Sequence, residues 1–186
     1  MRSEFFAKFN CRAVNAALAT AAVVAGTGLV SNAYAAIATS TATSTVITPI
    51  AITAPVVLSF GRFAHGAGGS VTISNSGVRT STGVVLSNSS GVETAARFDV
   101  TGDGSSTYGI THSGVTVLSD SASTPNTMAL SKTSDLTGSN VTTGNVSSGT
   151  LSSGVQSIFV GGTLTVGATQ AAGTYTGAVT VTVEYN

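Results

Sequence analysis

Cysteine, tryptophan, proline and charge are all scarce in this 186-residue sequence, which has one Cys, no Trp, three Pro and 8% charged residues. The single thiol, Cys11, lies close to the N-terminus. Residues beyond the leader described below therefore have neither disulfides nor thiolate metal ligands to stabilise them. From Ala36 onward there are four cations (Arg62, Arg79, Arg97, Lys132) and six anions (Glu93, Asp99, Asp103, Asp120, Asp135, Glu184), a net charge of −2. No basic cluster exists that would neutralise a run of phosphates, which excludes nucleic acid as a partner. His65 and His112 are the two histidines and stand far apart in the chain. There is no HExxH pair and no G-x-S-x-G elbow. Gly66-Ala67-Gly68-Gly69 lacks the Lys-Ser/Thr and the helical pattern of a phosphate loop and reads as a turn. Asp99 and Asp103 lack the spacing and the distal Glu of a calcium loop. The sequence predicts no enzyme, cofactor or metal.

What is present begins with a leader. Arg2, Lys8 and Arg12 precede an apolar stretch rich in small residues from Ala16 to Val30, and Ala33-Tyr34-Ala35 follows. This is the anatomy of a cleaved secretory signal peptide covering residues 1–35, so export across a membrane is expected, to the periplasm in transit and then to the surface or medium. After residue 36 no apolar run is long enough for a transmembrane helix.

Residues 36–54 form an Ala/Thr-rich extension ending at Pro49 and Pro55, and 55–186 are expected to form one domain. Within it, short β-prone runs recur between Gly, Asn and Ser clusters. Val71 and Ile73 alternate with polar residues, as do Ala96, Phe98 and Val100, and Ile158, Val160, Gly162, Leu164 and Val166 share one parity. Residues 133–154 are dominated by Ser, Thr, Gly and Asn and read as a long loop. No window beyond the leader has a helical period. The reading is all-β, an antiparallel sandwich or barrel.

The C-terminal segment alternates most cleanly. Tyr175, Val179, Val181, Val183 and Tyr185 share one face, with Thr174, Thr176, Thr180, Thr182 and Glu184 on the other. Burying Val179, Val181, Val183 and Tyr185 contributes roughly 6–12 kcal/mol gross, at about 1.5–3 per side chain. With Glu184 as its one obvious gatekeeper, this strand must be covered or paired.

Gly173, the alternating valines and the penultimate Tyr185 resemble the C-terminal motif of chaperone–usher pilins. Leu58-Ser59-Phe60-Gly61, Phe98-Asp99-Val100-Thr101-Gly102, Val160-Gly161-Gly162-Thr163-Leu164 and Gly173-Thr174-Tyr175-Thr176-Gly177 are similar to a bacterial family of secreted domains of unknown function, related in style to spore coat protein U and archaic pilins. The resemblance implies an immunoglobulin-like or pilin-like sandwich and a fimbrial or adhesive subunit assembling by β-strand addition. The partners it implies are further copies of the chain in an oligomer or fibre, a periplasmic chaperone and an outer-membrane usher. The strand-addition residues would be Gly173, Tyr175, Val179, Val181, Val183 and Tyr185. Val46, Thr48, Ile50 and Ile52 share the parity a donor strand needs. The residues leave open whether they serve a neighbour or complete their own sandwich. The alternative function is a self-contained adhesin or lectin-like domain that works as a monomer.

Overall fold

The computed structural model describes residues 35–87 and 93–186; the leader expected over 1–35 lies almost wholly outside the described residues. The chain divides into Met1–Thr43 and a compact unit, Ser44–Asn186. In the first, residues 35–43 have no ladder partner and are exposed. Among its described residues the second holds twelve strands and no helix. They are β1 (Ala51–Val56), β2 (Phe63–Ala64), β3 (Gly69–Ile73), β4 (Arg79–Thr82), β5 (Val85–Leu86), β6 (Ala96–Thr101), β7 (Thr107–Gly114), β8 (Val117–Ser119), β9 (Thr127–Asp135), β10 (Ser148–Thr150), β11 (Val155–Val166) and β12 (Val179–Tyr185).

Every ladder is antiparallel. The twelve-residue β11 is the spine. Its first half pairs with β6 (Val155↔Thr101 to Val160↔Ala96) and its second half with β3 (Gly162↔Ile73 to Val166↔Gly69). Along its other side runs β9, to whose outer edge β8 is added. β1 flanks β6 and β4 flanks β3. The second sheet is β10-β7-β12, and β2-β5 form a small ribbon.

Two apolar cores follow from this order, and the alternation seen in the sequence fills both. Ala96, Phe98, Val100, Ile158 and Val160 from the large sheet meet Tyr108, Ile110, Val181 and Val183 from the small one. Val71, Ile73, Leu118, Met128, Leu130, Leu164 and Val166 form the second core with Phe60 and Val84. The parity of β11 holds throughout, because Gly162 takes the inward place between Val160 and Leu164. Outward-facing Gly161 is buried for another reason: a Cβ there would strike Ile73 O and Asn75 Oδ1. The Asn75 side chain crosses β11 at this point. Its Oδ1 accepts the Gly161 N–H at 2.8 Å and the Thr133 hydroxyl at 3.0 Å.

Three details depart from the sequence reading. Residues 51–54, grouped above with the extension, are part of β1 and pair with β6 (Ala51↔Thr101, Ile52↔Val100, Thr53↔Asp99). The register shifts between Thr53 and Val56, which brackets Pro55; a bulge on an edge strand is where a residue without an N–H is tolerated. Second, the polar stretch 133–154 is not one loop. β9 runs to Asp135 and β10 occupies 148–150, because a ladder accepts Ser, Thr and Gly when its partners supply the burial. Third, Arg79–Thr82 forms β4 without an apolar pattern. The Arg79 side chain, buried beneath Gly61, donates to the carbonyls of Phe60, Arg62 and Ser87 and pairs with Glu93 at 3.5 Å.

Candidate functional site

β12 is the end strand of its sheet, and its hydrogen-bond phase determines what it offers. The Ile110 N–H donates to Ser147 O, on the side of β7 away from β12. Ile110 faces Val183, so this is a pair without mutual backbone bonds. By alternation Val179, Val181, Val183 and Tyr185 all direct N–H and C=O away from β7. The phase continues below the strand: Thr176 exchanges both backbone bonds with Ser119, and Ala178 O accepts the Val115 N–H. Even-numbered residues from 176 to 186 thus bond inward to β7 and β8. The odd-numbered residues Tyr175, Gly177, Val179, Val181, Val183 and Tyr185 turn their backbone groups outward, with no ladder partner among the described residues.

Across from this edge lies β1, the end strand of the large sheet, and then the segment Leu58–His65. Toward the C-terminal end of β12 the gap is narrow. Ile50 and Ile52 pack against the first core with Val179 and Tyr185. The Tyr185 hydroxyl accepts the Asp103 N–H at 2.6 Å and donates to Thr48 O at 2.8 Å, so it clasps the two lips together. Toward Tyr175 the gap widens into a cleft of about 940 Å³. Its lips are Leu58–His65 and Gln170–Gly177, and its floor is Leu118, Met128, Leu130, Leu164 and Val166 of the second core. The Tyr175 hydroxyl, bonded to Ala171 O and Gln170 Nε2 at 2.8 Å each, holds one lip. Edge and cleft together form a single seam along the fold, and on its β12 side the backbone groups of Val179, Val181, Val183 and Tyr185 have no ladder partner among the described residues.

The strand-addition residues read from the sequence therefore fall on one line. Val181 and Val183 are buried, Tyr175, Val179 and Tyr185 half-buried, and the intervening Thr180, Thr182 and Glu184 exposed. Gly173 is set apart: it is exposed, and a Cβ there would come no nearer than 3.7 Å to any atom. Gly177 is the position that demands glycine, since a Cβ would lie 2.5 Å from Val115 Cγ2 and 2.8 Å from Leu118 Cδ2. The four donor-strand candidates separate as well. Ile50 and Ile52 are half-buried on their own core, whereas Thr48 is exposed and Val46 is 94% exposed. The lip Leu58–His65 and the Thr48–Tyr185 bond were not foreseen. The bond joins residues 137 apart, and no local pattern encodes it.

Elsewhere the chemistry is structural. His112 Nε2 lies 3.0 Å from Val146 O and 2.9 Å from Ser134 Oγ. A carbonyl only accepts, so the Nε2 proton points there. Burial lowers the His112 pKa and Lys132 adds to that, opposed by the bond to Val146. His65 is exposed beside its turn, its Nδ1 2.9 Å from Gly66 O. Asp120 accepts from the Asn126 side chain and the Asn126 and Ala122 backbones, which lowers its pKa and orders one loop. Among the described residues no three His, Cys, Asp or Glu side chains come together as metal ligands, and no helix is long and apolar enough to cross a membrane.

No curated protein matches the chain. Residues 50–185, from the half-buried Ile50 to the Tyr185 clasp and so spanning both lips of the seam, match the model of a domain of unknown function, DUF4402, and the chain belongs to that family.

Proposed function

We propose that this protein is an exported, non-enzymatic structural or adhesive subunit that assembles by β-strand addition along the seam. The observation that carries the reading is the continuous outward-bonding edge from Tyr175 to Tyr185, which opens over an apolar cleft and has no partner among the described residues. An edge of this length with one charged residue, Glu184, is an aggregation hazard for an isolated domain. A guest strand would satisfy its N–H and C=O groups and cover the floor of Leu118, Met128, Leu130, Leu164 and Val166. During export the same edge would be covered by a periplasmic chaperone before passing to an outer-membrane usher and then to a further subunit. The leader anatomy of residues 1–35 supports the export step.

The test is light scattering on purified protein beginning at Ala36, over a wide concentration range. Concentration-dependent oligomers that resist mild denaturant are expected. A strictly monomeric species at every concentration sinks the reading and favours a self-contained adhesin-like domain, to be pursued by glycan binding.

A further inference from the structure

We infer that a hollow on the outer face of the large sheet binds one neutral pyranose ring of a glycan. This binding is separate from strand addition, because the hollow faces away from β12. Phe159 and Arg97 stand opposite each other in the β11-β6 ladder. They alternate with the core residues Ile158, Val160, Ala96 and Phe98, and so point away from the small sheet. The hollow arises from a break beside β11. On one side β11 pairs with β6 as far as Val160↔Ala96 and takes up β3 only from Gly162↔Ile73. Gly161 falls between the two ladders, and there the Asn75 side chain supplies the acceptor for its N–H. Over this break the turn 74–78, the approach to β6 at 93–95 and the loop 136–139 come together. They enclose about 410 Å³ lined by Asn75, Gly77, Glu93, Arg97, Gly138 and Phe159, among others.

One side of the hollow is apolar. The half-buried Phe159 ring has the backbone of Gly138 against one edge, where a Cβ would lie 3.4 Å from Cε1 and Cζ. Asp135, the ladder partner of Phe159 on β9, fixes that loop by accepting the N–H groups of Gly138 at 2.9 Å and Ser139 at 2.8 Å. Val56 of β1 continues the row beyond Arg97. The other side is polar, and its charges are balanced. Arg97 bonds to Asp99 at 3.1 Å and Glu93 pairs with Arg79 at 3.5 Å, the Arg97 and Glu93 side chains being 43% and 34% exposed. An ion has no uncompensated charge to meet here.

Two donors are left over. Asn75 is 1% exposed and commits Oδ1 to the Gly161 N–H and the Thr133 hydroxyl, which turns the other branch of the amide away from β11 and β9. Its Nδ2, like Arg97 Nε, is buried without an acceptor among the described residues, a costly condition that an oxygen in the hollow relieves. Arg97, long and part-exposed, is the side chain that can shift to admit it. The ligand called for has one apolar face and several oxygens that both accept and donate. A pyranose fits: its ring C–H groups lie on Phe159, and its hydroxyls accept from Arg97 and Asn75 while donating to the Glu93 carboxylate. Small-molecule sites span about 300–1,000 Å³, and a hollow at the lower end takes one ring rather than a chain.

The experiment is saturation-transfer NMR on the exported protein with methyl β-glucopyranoside, methyl β-galactopyranoside and methyl α-mannopyranoside, and with methyl β-glucuronide as the charged counterpart. It reads monomers and assemblies alike, so its outcome is independent of strand addition. Transfer to the ring C–H protons of at least one neutral pyranoside is expected. Phe159→Leu keeps the apolar contact but not the flat ring, and Arg97→Lys keeps the charge but not the Nε–H. Each should weaken that binding about fivefold or more. Thr137→Tyr, at an exposed position on the lining, should obstruct the hollow without disturbing the sheet. Thr182→Ala, exposed on β12, should bind like the parent. No transfer to any neutral pyranoside overturns the proposal. Binding undiminished in all three lining variants puts the sugar elsewhere and overturns the hollow as its site. Transfer confined to the glucuronide makes the hollow an anion site and overturns the neutral sugar.

Discussion

Replacing Asn75 by alanine tests the account of how β3, β9 and β11 are held together. Asn75 is 1% exposed, and its Oδ1 is the acceptor for two donors, the Gly161 N–H and the Thr133 hydroxyl. Alanine strands both. Each buried donor left unmade costs about 1–3 kcal/mol, so the loss is about 2–6 kcal/mol. Against this, Asn75 Nδ2 is itself buried without an acceptor among the described residues, and removing it restores about 1–3 kcal/mol. The net destabilisation is about 1–3 kcal/mol, which lowers the melting temperature by about 4–8 °C for 2 kcal/mol at this chain length. Urea unfolding measures it, with an unchanged slope showing that the native surface is intact. Thr133→Val removes one of the two donors, so the double variant should lose less than the two singles combined, by roughly 0.5–1 kcal/mol. A loss under about 0.5 kcal/mol for Asn75→Ala, or strict additivity in the cycle, refutes the crossing amide as the fastening of β11.

Other predictions concern the seam and the second sheet. Tyr185→Phe keeps the ring but deprives Asp103 N–H of its acceptor and Thr48 O of its donor; a loss of about 1–2 kcal/mol in thermal unfolding is expected, and an unchanged midpoint dismisses the clasp. Gly173→Ala should be neutral in the same assay, whereas Gly177→Val should cost more than about 2 kcal/mol through collision with Val115 and Leu118, and equal effects would contradict the steric account. The lowered pKa of His112 gives a signed pH dependence. Above pH 6.5 the ring is neutral whether folded or unfolded and contributes no slope. As pH falls through that value the unfolded chain takes up the proton first, so stability declines. His112→Gln should flatten the profile between pH 7 and 5.5, and an equally steep decline in that variant would assign the slope elsewhere.

Much of the fold was legible because its strands repeat every two residues. The period from Tyr175 to Tyr185 and the inward parity of Ile158 to Val166 both reappear as buried faces. Such alternation reports which side of a strand is covered, and nothing about which strand lies beside it. For that reason no local pattern marks Gly161 as the place where the lack of a Cβ admits Asn75 from 86 residues earlier. It is also why β10 was hidden in a Ser/Thr/Gly stretch: Gly149 is there so that the Tyr108 ring can lie against its backbone, a relation between distant residues. The seam was half visible. Its β12 lip is written in one continuous pattern, but the opposite lip, Leu58–His65, is held by distant partners: the Ser59–Thr94 bridge, the β2-β5 ladder and Arg79, whose guanidinium gathers the carbonyls of Phe60, Arg62 and Ser87.

The dependence of both cores on β11 bears on how the chain comes to be folded. β3 lies early in the sequence and its ladder partner late, as the Thr72 and Thr163 hydroxyls, 91 residues apart and in contact at 2.9 Å, make plain. β6 waits for the same strand. Synthesis begins at the N-terminus, so Val71, Ile73, Phe98 and Val100 are made long before β11 can complete their cores. Closing loops of this size is slow compared with forming a local hairpin. Until β11 emerges, the β3-β4 and β1-β6 pairs have their other edges and their apolar faces uncovered, a state open to misassociation. Without a disulfide to trap an early contact, its yield depends on being held apart from its copies until the last third of the sequence has been made.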